Sequence, residues 1–241
     1  MTFLRSAVFN VWFFGACLLI TIPGTALALF APHRMLALGT LWARMILFGM
    51  RHICGIEIRV IGRENLPNDG PALIASAHQS AFDTLVWLTL VPRACYVLKQ
   101  ELVRIPLFGW LIPRTRMIAV DRSAGAGAIR HLLREADRAV REERQIVIFP
   151  EGTRATPGVD LPLQPGIAAL AARTKLPVIP VATDSGRCWS RRAFHKYPGT
   201  IHIVIHKPLP AGLPRDALMT TLEREIRTMG DTTMAVDNSV G

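Results

Sequence analysis

The chain is poor in the residues that build a disulfide frame, a zinc site or a nucleic-acid platform. Its 241 residues include four cysteines and two tyrosines. Cys17, Cys54, Cys95 and Cys188 are scattered, with no Cys-x-x-Cys pair. That spacing predicts reduced structural thiols in a cytosol-facing protein. His52, His131, His195, His202 and His206 lack ligand spacing with acidic or Cys partners, so neither a metal nor a cofactor is expected. His202 and His206 sit four apart in an alternating strand and read as polar sheet positions. No long basic run interleaves with aromatics, which argues against nucleic acid as a partner. No Gly-x-Ser-x-Gly elbow announces a serine nucleophile, and Cys95 has no local support as one. No internal repeat is visible.

What the chain does have is apolar surface and positive charge. Half its residues are apolar, and 28 Lys and Arg against 18 Asp and Glu leave a net charge of +10. Positive mean hydropathy points to membrane contact, and the charge suits anionic lipid or a phosphorylated substrate. Ser6 to Phe30 carries no charge, and a bilayer span takes ~20 residues. Pro23-Gly24 is expected to bend or break that stretch. A second apolar stretch, Met35 to Met50, is interrupted by Arg44. The two suggest a helical hairpin lying partly in one leaflet. A secretory signal is the competing reading, with Arg5 as its basic end and Ala26-Leu27-Ala28 as a cleavage site. The apolar run exceeds the ~7–15 residues of a signal core. The expected organisation is a membrane-associating part over 1–50, a catalytic domain over 51–230 and a frayed tail over 231–241.

Strand signals fall at Gly55–Ile61, Pro71–Ser76, Ala94–Leu98, Gln145–Ile148, Val178–Ala182 and Ile201–Ile205. A buried helix is expected from Thr84 to Val91. An amphipathic one carries Ile129, Leu132, Leu133, Ala136 and Val140. A last helix runs from Asp216 to Met229, with Met219, Leu222, Ile226 and Met229 inward and Gly230 as its stop. Leu107 to Ile112 is an apolar patch that reads equally as core or as lipid-facing surface. Strands alternating with helices indicate an α/β fold, a sheet covered by helices.

The most informative pair is His78 and Asp83, in Ala77-His78-Gln79-Ser80-Ala81-Phe82-Asp83 just after the buried strand. A carboxylate that holds one imidazole nitrogen protonated leaves the other free to take a proton from a hydroxyl. Spacing alone also allows a structural His–Asp bond at a helix start. Ser80, between them, is expected to cap that helix. A second block, Phe149-Pro150-Glu151-Gly152-Thr153-Arg154, likewise follows a short apolar strand.

With these blocks the chain resembles the glycerolipid acyltransferases, specifically the 1-acylglycerol-3-phosphate (lysophosphatidic acid) acyltransferases. His78–Asp83 matches the His-x4-Asp block, Met117–Arg122 the second, Phe149–Arg154 the third, and Leu176–Val181 the Pro-rich fourth, which shapes the cleft. The resemblance runs from about Gly55 to Pro210. Three places depart from it: Ala77 stands where Asn is usual, Arg116 and Ala119 where Gly and an aromatic are usual, and Gln164 where a basic residue is common.

The resemblance implies transfer of a fatty acyl group from acyl-coenzyme A or acyl-carrier protein to the sn-2 hydroxyl of lysophosphatidic acid. The product is phosphatidic acid, in phospholipid biosynthesis. The site would lie at the inner membrane, on its cytoplasmic face. Another lyso-lipid acceptor, or a non-enzymatic lipid-binding protein, are the alternatives. His78 is expected to be the base and Asp83 its orienting partner. Arg154, then Arg122, then Lys99 are expected to hold phosphate, since Arg presents a forked donor array. Gly152 allows close backbone approach and Thr153 offers a donor. Glu151 could accept from the glycerol or pair with an arginine, and a shared role is expected.

Overall fold

The structure is a computed structural model that describes residues 1–105 and 109–229. Seven strands make one sheet: β1 (Ile56–Ile61), β2 (Ala72–Ser76), β3 (Ala94–Lys99), β4 (Ile118–Val120), β5 (Gln145–Ile148), β6 (Val178–Thr183) and β7 (Gly199–Ile205). Their order is β1-β7-β6-β2-β5-β3-β4. β6, β2, β5, β3 and β4 run parallel, while β7 lies antiparallel to β6 and carries β1 parallel to itself. β2, β5 and β6 are buried at every position. That is what near-continuous apolar strands covered on both faces require.

Side chains alternate across the sheet and so divide into two cores. Ile74, Val147, Val181 and Ile203 face α1 (Thr2–Phe30), α2 (Met35–Cys54) and α3 (Asp83–Leu90), where Ile46, Met50, Phe82 and Trp87 are buried. Leu73, Ala75, Ile146 and Val178 face α4 (Ala126–Arg141), α5 (Gly166–Thr174) and α6 (Arg215–Arg227), against Leu132, Ala136, Ile167 and Leu222. The fold is therefore α/β with helices on both faces and an apolar helix at its start.

That first helix is not broken at Pro23, which sits inside one continuous helix from Thr2 to Phe30. An interior proline costs about 3 kcal/mol. Packing offsets it here. A Cβ on Gly24 would lie 3.1 Å from Leu111 Cδ1 and 3.3 Å from Leu38 Cδ2, so the next residue is pressed against two side chains. α1 and α2 form the expected hairpin. Trp12 Nε1 donates to the Met45 carbonyl at 2.9 Å across it. Gly55, at φ +70°, ends α2 by donating to the Arg51 carbonyl at 3.0 Å.

α5 had no counterpart in the sequence reading. It is nine residues long and rich in alanine, so its apolar face has little contrast. α6 buries Leu218, Leu222 and Ile226; Met219 is only partly covered, and the helix ends at Arg227. Of the Leu107–Ile112 patch, Leu111 and Ile112 are buried, and Leu111 packs with Ala28 and Met35, on the core reading. Leu107, Phe108, Gly230 and the tail lie outside the described residues.

Candidate active site

The candidate residues hang from one edge of the sheet, beyond the carboxyl ends of the parallel strands, where open α/β sheets bind ligands. β2 leads to His78, β5 to Glu151 and Arg154, β4 to Arg122, and β3 ends at Lys99. Because β5 is the direct neighbour of β2, the first and third blocks meet.

His78 is fixed through its main chain. Its N–H donates to Glu151 Oε2 at 2.7 Å, and its carbonyl accepts from Ala155 N at 2.7 Å. The ring stacks on Phe149, with centroids 4.1 Å apart and planes at 22°. Nδ1 lies 3.1 Å from Asp83 Oδ2. The same oxygen accepts from Gln79 N at 2.7 Å and Ser80 N at 2.8 Å. The Asp83 side chain is 2% exposed and the imidazole 12%. An ionised carboxylate only accepts, so Nδ1 carries the proton and Nε2 the lone pair. Among the described residues Nε2 makes no hydrogen bond.

Ser80 is not the residue directly before α3 and makes no side-chain cap at Phe82. Its hydroxyl accepts from Phe82 N at 3.1 Å one step before the helix, while Asp83 reaches back to the amides of Gln79 and Ser80.

Among the described residues Glu151 does not pair with an arginine. Among the described residues it forms no ion pair, and its hydrogen bond goes to the His78 amide. Burial pushes its pKa up to about 7, against the lowering effect of that bond; the Asp83 charge adds to the rise. A carboxyl between two phases of charge at neutral pH is a consequence of desolvation. Gly152 turns the chain at φ +72°, where a Cβ would come within 2.8 Å of Arg122 Nη1 and 3.2 Å of Gln164 Cγ. Arg122 is exposed and donates to the Gly152 carbonyl, which fixes it to the third block. Gln164 N donates to the Pro150 carbonyl at 2.7 Å, so the residue that departs from the resemblance lies against the same turn.

Arg154 is partly buried, and its guanidinium has no hydrogen bond or ion pair among the described residues. Burial lowers its pKa; the negative charge of Asp83 opposes this, and Arg191 and Arg192 add to it. Thr153 is partly exposed, and its hydroxyl has no partner among the described residues. Lys99 is exposed at the end of β3, opposite Val120 and two strands from β2. It shares the edge but touches none of the others through a hydrogen bond or ion pair among the described residues.

Elsewhere the histidines pair separately. His202 Nδ1 lies 2.9 Å from Asp184 Oδ2, and His206 Nδ1 3.3 Å from Glu225 Oε2. The four cysteines are free, and Cys95 is buried with Sγ 3.6 Å from the Arg116 carbonyl. Phe149 as a platform for the imidazole, and the arginines at 191 and 192, were not foreseen. The first had a signal in its motif position; the second had none, since two adjacent arginines far along the chain read as solvated surface.

Known proteins resemble this chain in sequence and fold. Residues 57–184 match the family profile described as Acyltransferase. A 1-acyl-sn-glycerol-3-phosphate acyltransferase of Pseudomonas aeruginosa is 37% identical over 68% of this chain and 63% of its own length. One of Limnanthes douglasii is 32% identical over 74% of this chain and 63% of its own. The chain thus spans under two thirds of the length of both relatives. The crystal structure of the 1-acyl-sn-glycerophosphate (LPA) acyltransferase PlsC from Thermotoga maritima superposes with a TM-score of 0.67 at 23% identity, covering 94% of this chain and 95% of that one. The matched profile takes in β2, the His78–Asp83 pair and the Phe149–Arg154 turn, and on that ground the chain belongs to the acyltransferase family.

Proposed function

We propose that the protein transfers a fatty acyl group from acyl-coenzyme A or acyl-carrier protein to the sn-2 hydroxyl of 1-acylglycerol-3-phosphate, giving phosphatidic acid. The observation that carries this reading is the imidazole bound at Nδ1 by Asp83, stacked on Phe149 and open at Nε2. His78 Nε2 takes the proton of the lipid hydroxyl as its oxygen attacks the thioester carbonyl. Asp83 steadies the imidazolium. When the tetrahedral adduct collapses, the imidazolium returns the proton to the departing thiolate, so ester and free thiol are the products. Glu151 positions His78 through its amide. Arg154 and Arg122, with Gly152 and Thr153, bind the acceptor, and Lys99 lies at the rim.

Residues 1–50 form the membrane-associating part and 51–230 the catalytic part in this reading. The apolar outer side of α1 lies in one leaflet, at the cytoplasmic face of the inner membrane. Helices that carry large exposed side chains such as Phe14, Leu19 and Ile22 need such a partner. One observation favours a different lyso-lipid: neutral Gln164 lies against the Gly152 turn, where relatives of the resemblance often place a cation.

A panel of lyso-lipids offered with a radiolabelled acyl donor tests both readings. The expected result is product from 1-acylglycerol-3-phosphate; product only from another lyso-lipid transfers the assignment to that acceptor. His78→Ala should lose roughly 10²–10⁴-fold in turnover with thiol release abolished. Turnover at the wild-type rate in that variant would refute the base assignment.

A further inference from the structure

Arg154, Arg191 and Arg192 come together where the third block meets the segment that joins β6 to β7. Arg191 Nη1 lies 3.5 Å from the main-chain oxygen of Arg154. Both added arginines are exposed, and their charges bear on the Arg154 guanidinium. Among the described residues no carboxylate forms an ion pair with any of the three. Some arginines on this protein find acids: Arg187, a few residues earlier, lies 3.8 Å from Asp184 Oδ2, and Arg173 lies 2.7 Å from Asp137 Oδ2. A cluster of like charge with no counter-ion is a standing attraction for an anion.

The segment that bears the pair is held at both ends. Gly186 N donates to Gln79 Oε1 at 3.1 Å, which ties its start to the residue beside His78. A Cβ at Gly186 would lie 2.7 Å from Pro157 Cγ, so the approach is close. Tyr197 N donates to the Cys188 carbonyl at 2.8 Å and closes the segment on itself. Lys196 anchors its end. The side chain is 3% exposed, Nζ donates to Asn10 Oδ1 at 2.6 Å and to the Phe194 carbonyl at 2.9 Å, and Phe9, Trp189 and Phe194 surround it with their rings. Its main-chain N–H donates to Ser6 Oγ at 2.9 Å. Arg192 takes φ +56°, a conformation a non-glycine residue holds at a cost.

We propose that Arg191 and Arg192 complete, with Arg154, the site that holds the phosphate of the acceptor. This rests on the reaction proposed above. In 1-acylglycerol-3-phosphate one carbon and one ester oxygen separate the reacting carbon from phosphorus. The phosphate must therefore settle close to His78, on the side where Arg154 meets the charge of Asp83. A phosphomonoester near two negative charges offers three oxygens, enough for more than one guanidinium fork. Arg154 supplies one positive charge, and Arg122, its partner in the acceptor site, already donates to the Gly152 carbonyl.

The test is steady-state kinetics on the full chain with Arg191→Gln, Arg192→Gln and the double variant. Acceptor and donor are varied in turn. The double variant should show an acceptor KM raised about tenfold or more, with kcat within about threefold, as loss of charge-assisted bonds made before the chemical step requires. The donor KM and the thermal midpoint should stay unchanged, and Arg191→Lys/Arg192→Lys should recover part of the affinity. A wild-type acceptor KM in the double variant overturns the assignment and leaves the proposed reaction standing. A rise confined to the donor KM overturns it too, since the arginines would then serve the phosphates of the donor. A wild-type protein that does not turn over 1-acylglycerol-3-phosphate overturns the proposed reaction, and this assignment with it.

Discussion

At the scale of single residues, the site rests on carboxyl groups with opposite tasks. Asp83 is spread over three donors, the ring of His78 and two amides, so it orders the loop as well as the imidazole. Glu151 is buried against the His78 amide and holds its proton to about pH 7. The folded protein binds that proton more tightly than the unfolded chain does. Stability therefore falls as pH rises from the ordinary carboxylate range through 7. Glu151→Gln keeps an oxygen for the His78 amide and removes the buried charge. Its unfolding free energy should match wild type near pH 4.5 and exceed it at pH 8, by at most about 3 kcal/mol. Denaturant titrations at both pH values measure this; equal stability at pH 8 would mean that Glu151 ionises without penalty.

At the scale of elements, the hairpin of α1 and α2 depends on a single small residue. A Cβ on Gly49 would strike Trp12 at Cδ1 and Nε1, the atoms that reach the Met45 carbonyl. Gly49→Ala should gain helix propensity and still lose stability, because displacing a packed indole costs typically 1–3 kcal/mol. A lowered thermal midpoint and a changed tryptophan emission are the expected readouts. β2, β5 and β6 were legible in the chain because an apolar run bounded by turn residues has one good solution in a covered sheet. α5 was not, for its nine residues are so rich in alanine that its two faces show little contrast. That Pro23 does not break α1 was not legible either: its local penalty was plain, but the contacts of Gly24 that oppose it lie on other elements.

For the whole molecule, the outer side of α1 is the largest unexplained surface. Ile22 is 77% exposed and Phe30 85%, while Ser6, Phe9, Ala16, Ile20, Gly24 and Ala28 are buried against the protein. One side of the helix is thus occupied along its length and the other is exposed, as the proposed membrane contact requires. With a net charge of +10, the protein should bind anionic vesicles more strongly than neutral ones, and less strongly at high salt. Leu19→Glu/Ile22→Glu should cut recovery in vesicle flotation by about tenfold, since each charge must be drawn out of the apolar layer. Unchanged recovery would move the membrane contact to another face.

The sequence by itself determined every strand but the three-residue β4, the amphipathic helices α4 and α6, the balance of charge and the two blocks of candidate residues. These are local: each is written within a few positions of chain. Only the tertiary structure decided what those blocks do to one another. Placing β5 beside β2 brings Glu151 under the His78 amide and Phe149 under its ring. Placing β6 on the other side of β2 carries Arg191 to Arg154. Such pairings depend on the order of strands in the sheet, and strand order is a property of all the buried surfaces together, which no short stretch of chain contains.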